Sequence, residues 1–125
     1  MRYFKKNRKF TAGKTNIEFT DKGSISLNEN EMIALRTSKN KNCDISKTPF
    51  GFYLTSSLNR RLYKNQFFVV LTKNRKGKFF LLLVDKTKRK KFKNYLKAES
   101  NHIVTTLEIR NLKKIEKMFK KKNSI

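Results

Sequence analysis

Between Lys78 and Asp85 the chain carries its longest uninterrupted apolar run, Phe79-Phe80-Leu81-Leu82-Leu83-Val84. The run is far shorter than the roughly 20 residues a membrane-spanning helix needs, which argues against an integral membrane protein. As a strand it would be apolar on both faces, because successive side chains point to opposite sides. Such a strand needs cover on both faces, so the run predicts the central strand of a buried sheet.

The periodicity on either side supplies the rest of a topology. Phe50-Gly51-Phe52-Tyr53-Leu54 reads as a strand and Thr55-Ser56-Ser57 as a polar turn, and the four-residue spacing of Leu58 and Leu62 predicts a short helix. Phe67 to Leu71 reads as the next strand, and Lys73 to Lys78 as a basic hairpin loop in which Gly77 permits the turn. After the apolar run, Asp85 is placed to cap a second helix whose buried stripe is Phe92, Tyr95 and Leu96. His102 to Leu107 closes as a strand. The order strand, helix, strand, strand, helix, strand is the split βαβ arrangement of ferredoxin-like domains. The expectation is an α+β fold with a βαββαβ unit at about 50–107, packed as one antiparallel sheet with two helices on one face.

The flanks read as parts of the same single domain, 1–125. Residues 1–15 are expected as a loose basic arm. Residues 16–49 are expected as an N-terminal β extension, from Ile17-Glu18-Phe19, Ser24 to Leu27 and Met32 to Leu35, with a capped helix over Asn28 to Thr37 as the alternative. Residues 108–125 are expected as a basic amphipathic C-terminal helix. Its stripe of Ile109, Leu112, Ile115 and Phe119 needs burial against the domain or a second copy, so a homodimer through this helix is one expectation.

Charge narrows the partners. Lys and Arg number 32 against 9 Asp and Glu, a net charge of +23 on 125 residues. Lys dominates that excess, and abundant Asn, Ile and Phe beside few Ala and Gly point to an AT-rich genome, so part of the excess reflects base composition. The scarcity of acids is not explained that way, and a polyanion is the expected partner, nucleic acid first and RNA ahead of DNA. Cys43 stands alone and His102 is the only histidine, which excludes an internal disulfide and a compact Cys/His zinc site. A reducing, cytoplasmic setting fits, Cys43 reads as an ordinary loop or strand-edge thiol with a pKa lowered by two nearby lysines as the alternative, and no cofactor motif is legible.

The densest basic patches are the hairpin loop, with Arg75, Lys76 and Lys78, and the second helix, with Lys88, Arg89, Lys90, Lys91 and Lys93. These are the candidate nucleic-acid contacts, made mainly to phosphates. RNA-recognition domains use the same strand-helix order, with stacking aromatics on central strands. Lys76-Gly77 and Phe80 are similar to that signature, whereas Lys78, Phe79 and Leu83 depart from it. A second candidate is the strand-to-helix turn from Gly51 to Arg61. There Thr55, Ser56, Ser57, Asn59, Arg60 and Arg61 offer hydroxyls, an amide, guanidinium groups and a helix start to an anion such as a phosphorylated small molecule or nucleotide-sugar. The ferredoxin-like pairing would also gather Thr55 or Ser56, Asp85 and His102 at one sheet edge, the parts of an acyl-transfer triad without a signalled oxyanion hole. The leading reading is non-enzymatic.

Overall fold

The computed structural model describes residues 1–38, 41–54, 58 and 66–120. They form a sheet-rich α+β chain with eight strands and two helices among the described residues. Three small antiparallel sheets result. Strands β1 (Arg2–Ala12) and β2 (Ile17–Ser26) make a long hairpin. Strands β3 (Met32–Ser38), β4 (Lys41–Thr48) and β5 (Gly51–Leu54) make the second sheet, in order β3-β4-β5. Strands β6 (Phe67–Lys73), β7 (Phe79–Asp85) and β8 (His102–Thr106) make the third, in order β7-β6-β8. Helix α1 (Arg89–Glu99) links β7 to β8 after a 3-10 turn at Lys86–Lys88, and α2 (Ile109–Phe119) follows β8.

The third sheet holds the core. Its centre is β6, not the apolar run: β6 alternates buried and half-buried side chains, whereas β7 is an edge strand with Phe79, Phe80, Leu81 and Leu83 all exposed. Pairing of Phe68 with Val84 and of Val70 with Leu82 puts these four on one face, against Phe92 of α1. Burying each such side chain is worth about 1.5–3 kcal/mol. Leu96, on the same helical stripe, is buried as the sequence predicts.

The strand pairing differs from a ferredoxin-like sheet. That arrangement would set the strand at Gly51–Leu54 between β7 and β8. Here β5 pairs with β4, and β6 stands between the two strands that α1 connects. One split βαβ unit is therefore present, with a hairpin neighbour as its middle strand. The physical reason is β4, a polar stretch within the expected β extension. It reaches β5 across only Pro49 and Phe50, with Thr48 opposite Gly51, a far shorter closure than a pairing across the chain to β7.

The amino-terminal segment is likewise no loose arm. Residues 2–12 form β1, paired with β2 from Arg2↔Ser26 to Ala12↔Ile17. The Asp21-Lys22-Gly23 stretch, which could have been a turn, continues β2 opposite a bulge in β1, where Lys6 and Asn7 together face Lys22. The Asp21 carboxylate accepts the Gly23 N–H at 2.9 Å, and Gly23 has a positive φ of 122°. Residues 32–38 are strand, so the alternative helix over Asn28 to Thr37 does not form. The short helix predicted around Leu58 and Leu62 lies, apart from Leu58, outside the described residues.

Candidate nucleic-acid interface

The hairpin loop owes its shape to Asn74. The Asn74 side-chain oxygen accepts the N–H groups of Lys76 and Lys78 at 3.0 and 2.9 Å, its N–H reaches the Lys78 carbonyl at 2.9 Å, and Gly77 takes a φ of 82°. The ordering leaves Arg75, Lys76 and Lys78 exposed on a fixed turn, with no ion pair among the described residues.

Beside this loop lies the end of α1, which stops in a Schellman arrangement. Ser100 is left-handed at φ 55°, the Ser100 N–H meets the Lys97 carbonyl, and the Asn101 N–H meets the Leu96 carbonyl at 2.9 Å. That stop presents the Glu99 carboxylate to the tip of the β1–β2 hairpin. Glu99 accepts the Lys14 N–H at 2.7 Å, the Thr15 N–H at 2.9 Å and the Thr15 hydroxyl, while the Lys14 ammonium donates to the Ser100 hydroxyl at 2.8 Å. These donors, the Thr15 hydroxyl foremost, hold the Glu99 carboxyl below its ordinary pKa against the opposing effect of burial. Gly13, at φ 82°, lies so close to Glu99 Oε1 that a Cβ would collide with it. The hairpin tip is thereby clasped to the helix end.

Between the clasped tip, the Asn74–Lys78 loop, β7 and α1 lies an open cleft of about 620 Å³. Among the described residues it gathers four cationic side chains, Lys14, Arg75, Lys76 and Lys78, with three aromatic rings, Phe19, Phe80 and Tyr95. Glu99 is the one carboxylate in its lining, and the hairpin tip already occupies it. Phe19 stacks on Phe10 across the hairpin at 5.5 Å, and Tyr95 stacks on Phe92 at 6.4 Å, so each ring is held by an aromatic neighbour. Phe80 stands on the α1 side of the sheet with Thr72, and Phe79 on the opposite side, beneath the Lys73 ammonium at 5.0 Å.

The structure therefore divides the residues singled out from the sequence. Arg75, Lys76 and Lys78 share the cleft. Helical periodicity places Lys91 one turn before Tyr95 on the same side, whereas Lys90 points outward and Lys93 lies on the other flank. Lys88 ends the 3-10 turn, outside the lining. Arg89 is committed elsewhere: its guanidinium lies over the Phe68 ring at 4.3 Å and 3.7 Å from the Glu108 carboxylate. Thr55, Ser56, Ser57, Asn59, Arg60 and Arg61 lie outside the described residues. Lys14, Phe19 and Tyr95 went unrecognised as cleft residues. The available signal was Gly13-Lys14-Thr15-Asn16 between Phe10 and Phe19, a turn with glycine and asparagine at positive φ.

The supposed triad does not assemble. Asp85 pairs with Phe67 and His102 with Lys73, which places them at opposite ends of β6, about 20 Å apart at the usual strand rise. Asp85 instead caps the 3-10 turn through the Thr87 N–H at 2.9 Å and binds Lys41 at 3.0 Å. The Thr87 bonds first, and then Lys41, bring its pKa down to about 2. Cys43 lies in β4, and burial and then the Asp44 charge raise its pKa, the direction opposite to an activated thiol, so it is the ordinary strand thiol and not the reactive alternative. Among the described residues no cluster of three or more His, Cys, Asp or Glu could hold a metal, and no helix is long and apolar enough to cross a membrane. In comparisons with known proteins, the chain matches no protein-family model, and no curated protein or solved structure matches it.

Proposed function

We propose that this chain is a non-enzymatic nucleic-acid-binding protein whose preferred partner is single-stranded RNA, held mainly through its phosphates in the cytosol. The observation that carries the reading is the cleft in which Lys14, Arg75, Lys76 and Lys78 converge around Phe80 and Tyr95. Cations at this density neutralise backbone phosphates and release counterions, and unstacked bases can reach the rings, which a base-paired duplex does not offer. The net charge of +23 favours long-range attraction of any such polyanion.

The test is fluorescence anisotropy of a labelled single-stranded RNA across a salt series. Four neutralised phosphates predict a fall of about 50-fold in affinity from roughly 50 to 200 mM salt. Replacing Arg75, Lys76 and Lys78 together by Ala should weaken binding at low salt and reduce the log–log slope by about 2. A slope and affinity untouched by that triple substitution would refute the cleft. Saturable competition by a nucleoside diphosphate, lost on Arg60→Ala or Arg61→Ala, would move the site to the strand-to-helix turn.

A further inference from the structure

The two edges of the β7-β6-β8 sheet are built differently. The β8 edge is short, begins at His102, ends in Thr105-Thr106, and breaks register against β6 between Leu71 and Thr72. Shortness, polar side chains and a bulge are the usual protections of an edge strand. The β7 edge has none of them. Its seven residues keep unbroken register with β6, and from Phe79 to Val84 there is no charge, proline or glycine.

The direction of its backbone groups follows from the register. Asn74 N–H bonds the Lys78 carbonyl and Lys86 N–H bonds the Gln66 carbonyl, so the even-numbered residues of β7 turn their N–H and C=O groups to β6. Phe79, Leu81 and Leu83 turn theirs outward, and among the described residues no backbone bond reaches them. The same three side chains occupy the face away from α1, and Phe79 and Leu81 are 57% and 58% exposed.

We infer that the outer edge of β7 pairs with β7 of a second copy of this chain, antiparallel about a two-fold axis, giving the continuous sheet β8-β6-β7-β7′-β6′-β8′. A second copy is the occupant because an uncharged, two-sided apolar strand is complementary to itself, and isologous pairing satisfies both edges at once. An acidic protein partner would be drawn to the lysines, and a strand of it laid on β7 would have to desolvate its carboxylates against an uncharged neighbour. The inference stands independently of nucleic-acid binding, and its salt dependence has the opposite sign. Screening lessens repulsion between two highly positive copies, so association strengthens as salt rises.

The experiment is sedimentation velocity of the full chain, free of nucleic acid, at low and high salt. The expected result is a monomer–dimer equilibrium that shifts toward dimer with salt. Leu81→Pro should shift it to monomer, because the N–H it removes points outward and the ladder to β6 is kept. Leu81→Lys, which keeps every backbone group, should do the same by placing like charges at the axis. Circular dichroism of both variants checks that the sheet persists. A wild-type chain that stays monomeric at high salt would overturn the inference. So would a dimer that survives both Leu81 variants or is dissolved by Met118→Glu alone, which would assign association to α2.

Discussion

In the β6–β7–β8 layer, Phe68, Val70 and Val84 are shielded by one another and by Phe92, with Val70 wholly inaccessible. At the tip of the β1–β2 hairpin the hold is polar: the Glu99 carboxylate takes two backbone N–H groups and a hydroxyl, and the Lys14 ammonium donates to the Ser100 hydroxyl. The first attachment is apolar and non-directional, and it responds to volume more than to pH. The second is directional and depends on ionisation. The molecule therefore has a part that should unfold only with the whole sheet and a part that can detach while the sheet remains, the graded stability seen in local opening.

The largest effect that would break this contrast is at the core. Phe68→Ala removes a ring that packs on Val70 and Val84 and seats the Arg89 guanidinium. A loss of about 3–5 kcal/mol is expected, a large share of a small domain's stability. Chemical denaturation followed by circular dichroism measures it, and a loss below about 1 kcal/mol would mean that the core is elsewhere. The next effect is at the clasp. Gly13→Ala forces a side chain into a left-handed position at about 1–2 kcal/mol and drives its Cβ against Glu99. Hydrogen exchange should then speed up at the Lys14 and Thr15 amides while those of Val70 and Val84 stay protected; equal acceleration at both would make the hairpin and sheet one cooperative unit.

The smallest effect is reached by titration. Because the Glu99 carboxyl is held below its ordinary pKa, its contribution is complete above the unfolded value. It is lost as pH falls through the lower, folded value. Acidification should shift the Thr15 and Lys14 amide resonances with a midpoint below the usual glutamate range, and Glu99→Gln should abolish that step without moving the core resonances. A midpoint at or above the ordinary value would show that the carboxylate is not clasped.

Much of the element order was legible. Phe67 to Leu71, Phe79 to Val84 and His102 to Leu107 announced strands, and the spacing of Phe92 and Leu96 gave the buried stripe of α1. Partnership was not legible, because nothing local to the apolar run says which strand lies beside it, and the same six residues can fill a centre or form an adhesive edge. Strand β4 was hidden for another reason. Lys41-Asn42-Cys43-Asp44-Ile45-Ser46-Lys47-Thr48 has little apolar alternation, and its strand state comes from ladders to β3 and β5 on both sides. In β1 the run Lys5-Lys6-Asn7-Arg8-Lys9 masks the alternation that Phe10 and Phe19 would otherwise reveal. Of the candidate site, the loop lysines were legible as a local charge cluster. The contributions of Lys14 and Tyr95 depend on a contact between residues 84 and 85 positions apart, which no local pattern encodes.

That separation also sets an order of events during synthesis. At about 5–20 residues per second, Glu99 emerges on the order of 4–17 s after Thr15, whereas a hairpin closes in about 1–10 μs. For that interval a nascent β1–β2 ribbon can stand complete, with the Lys14 and Thr15 amides still awaiting their carboxylate. Until α1 has been made those amides have only water to bond, and the hairpin tip gains its fixed shape at the end of synthesis and not at its start.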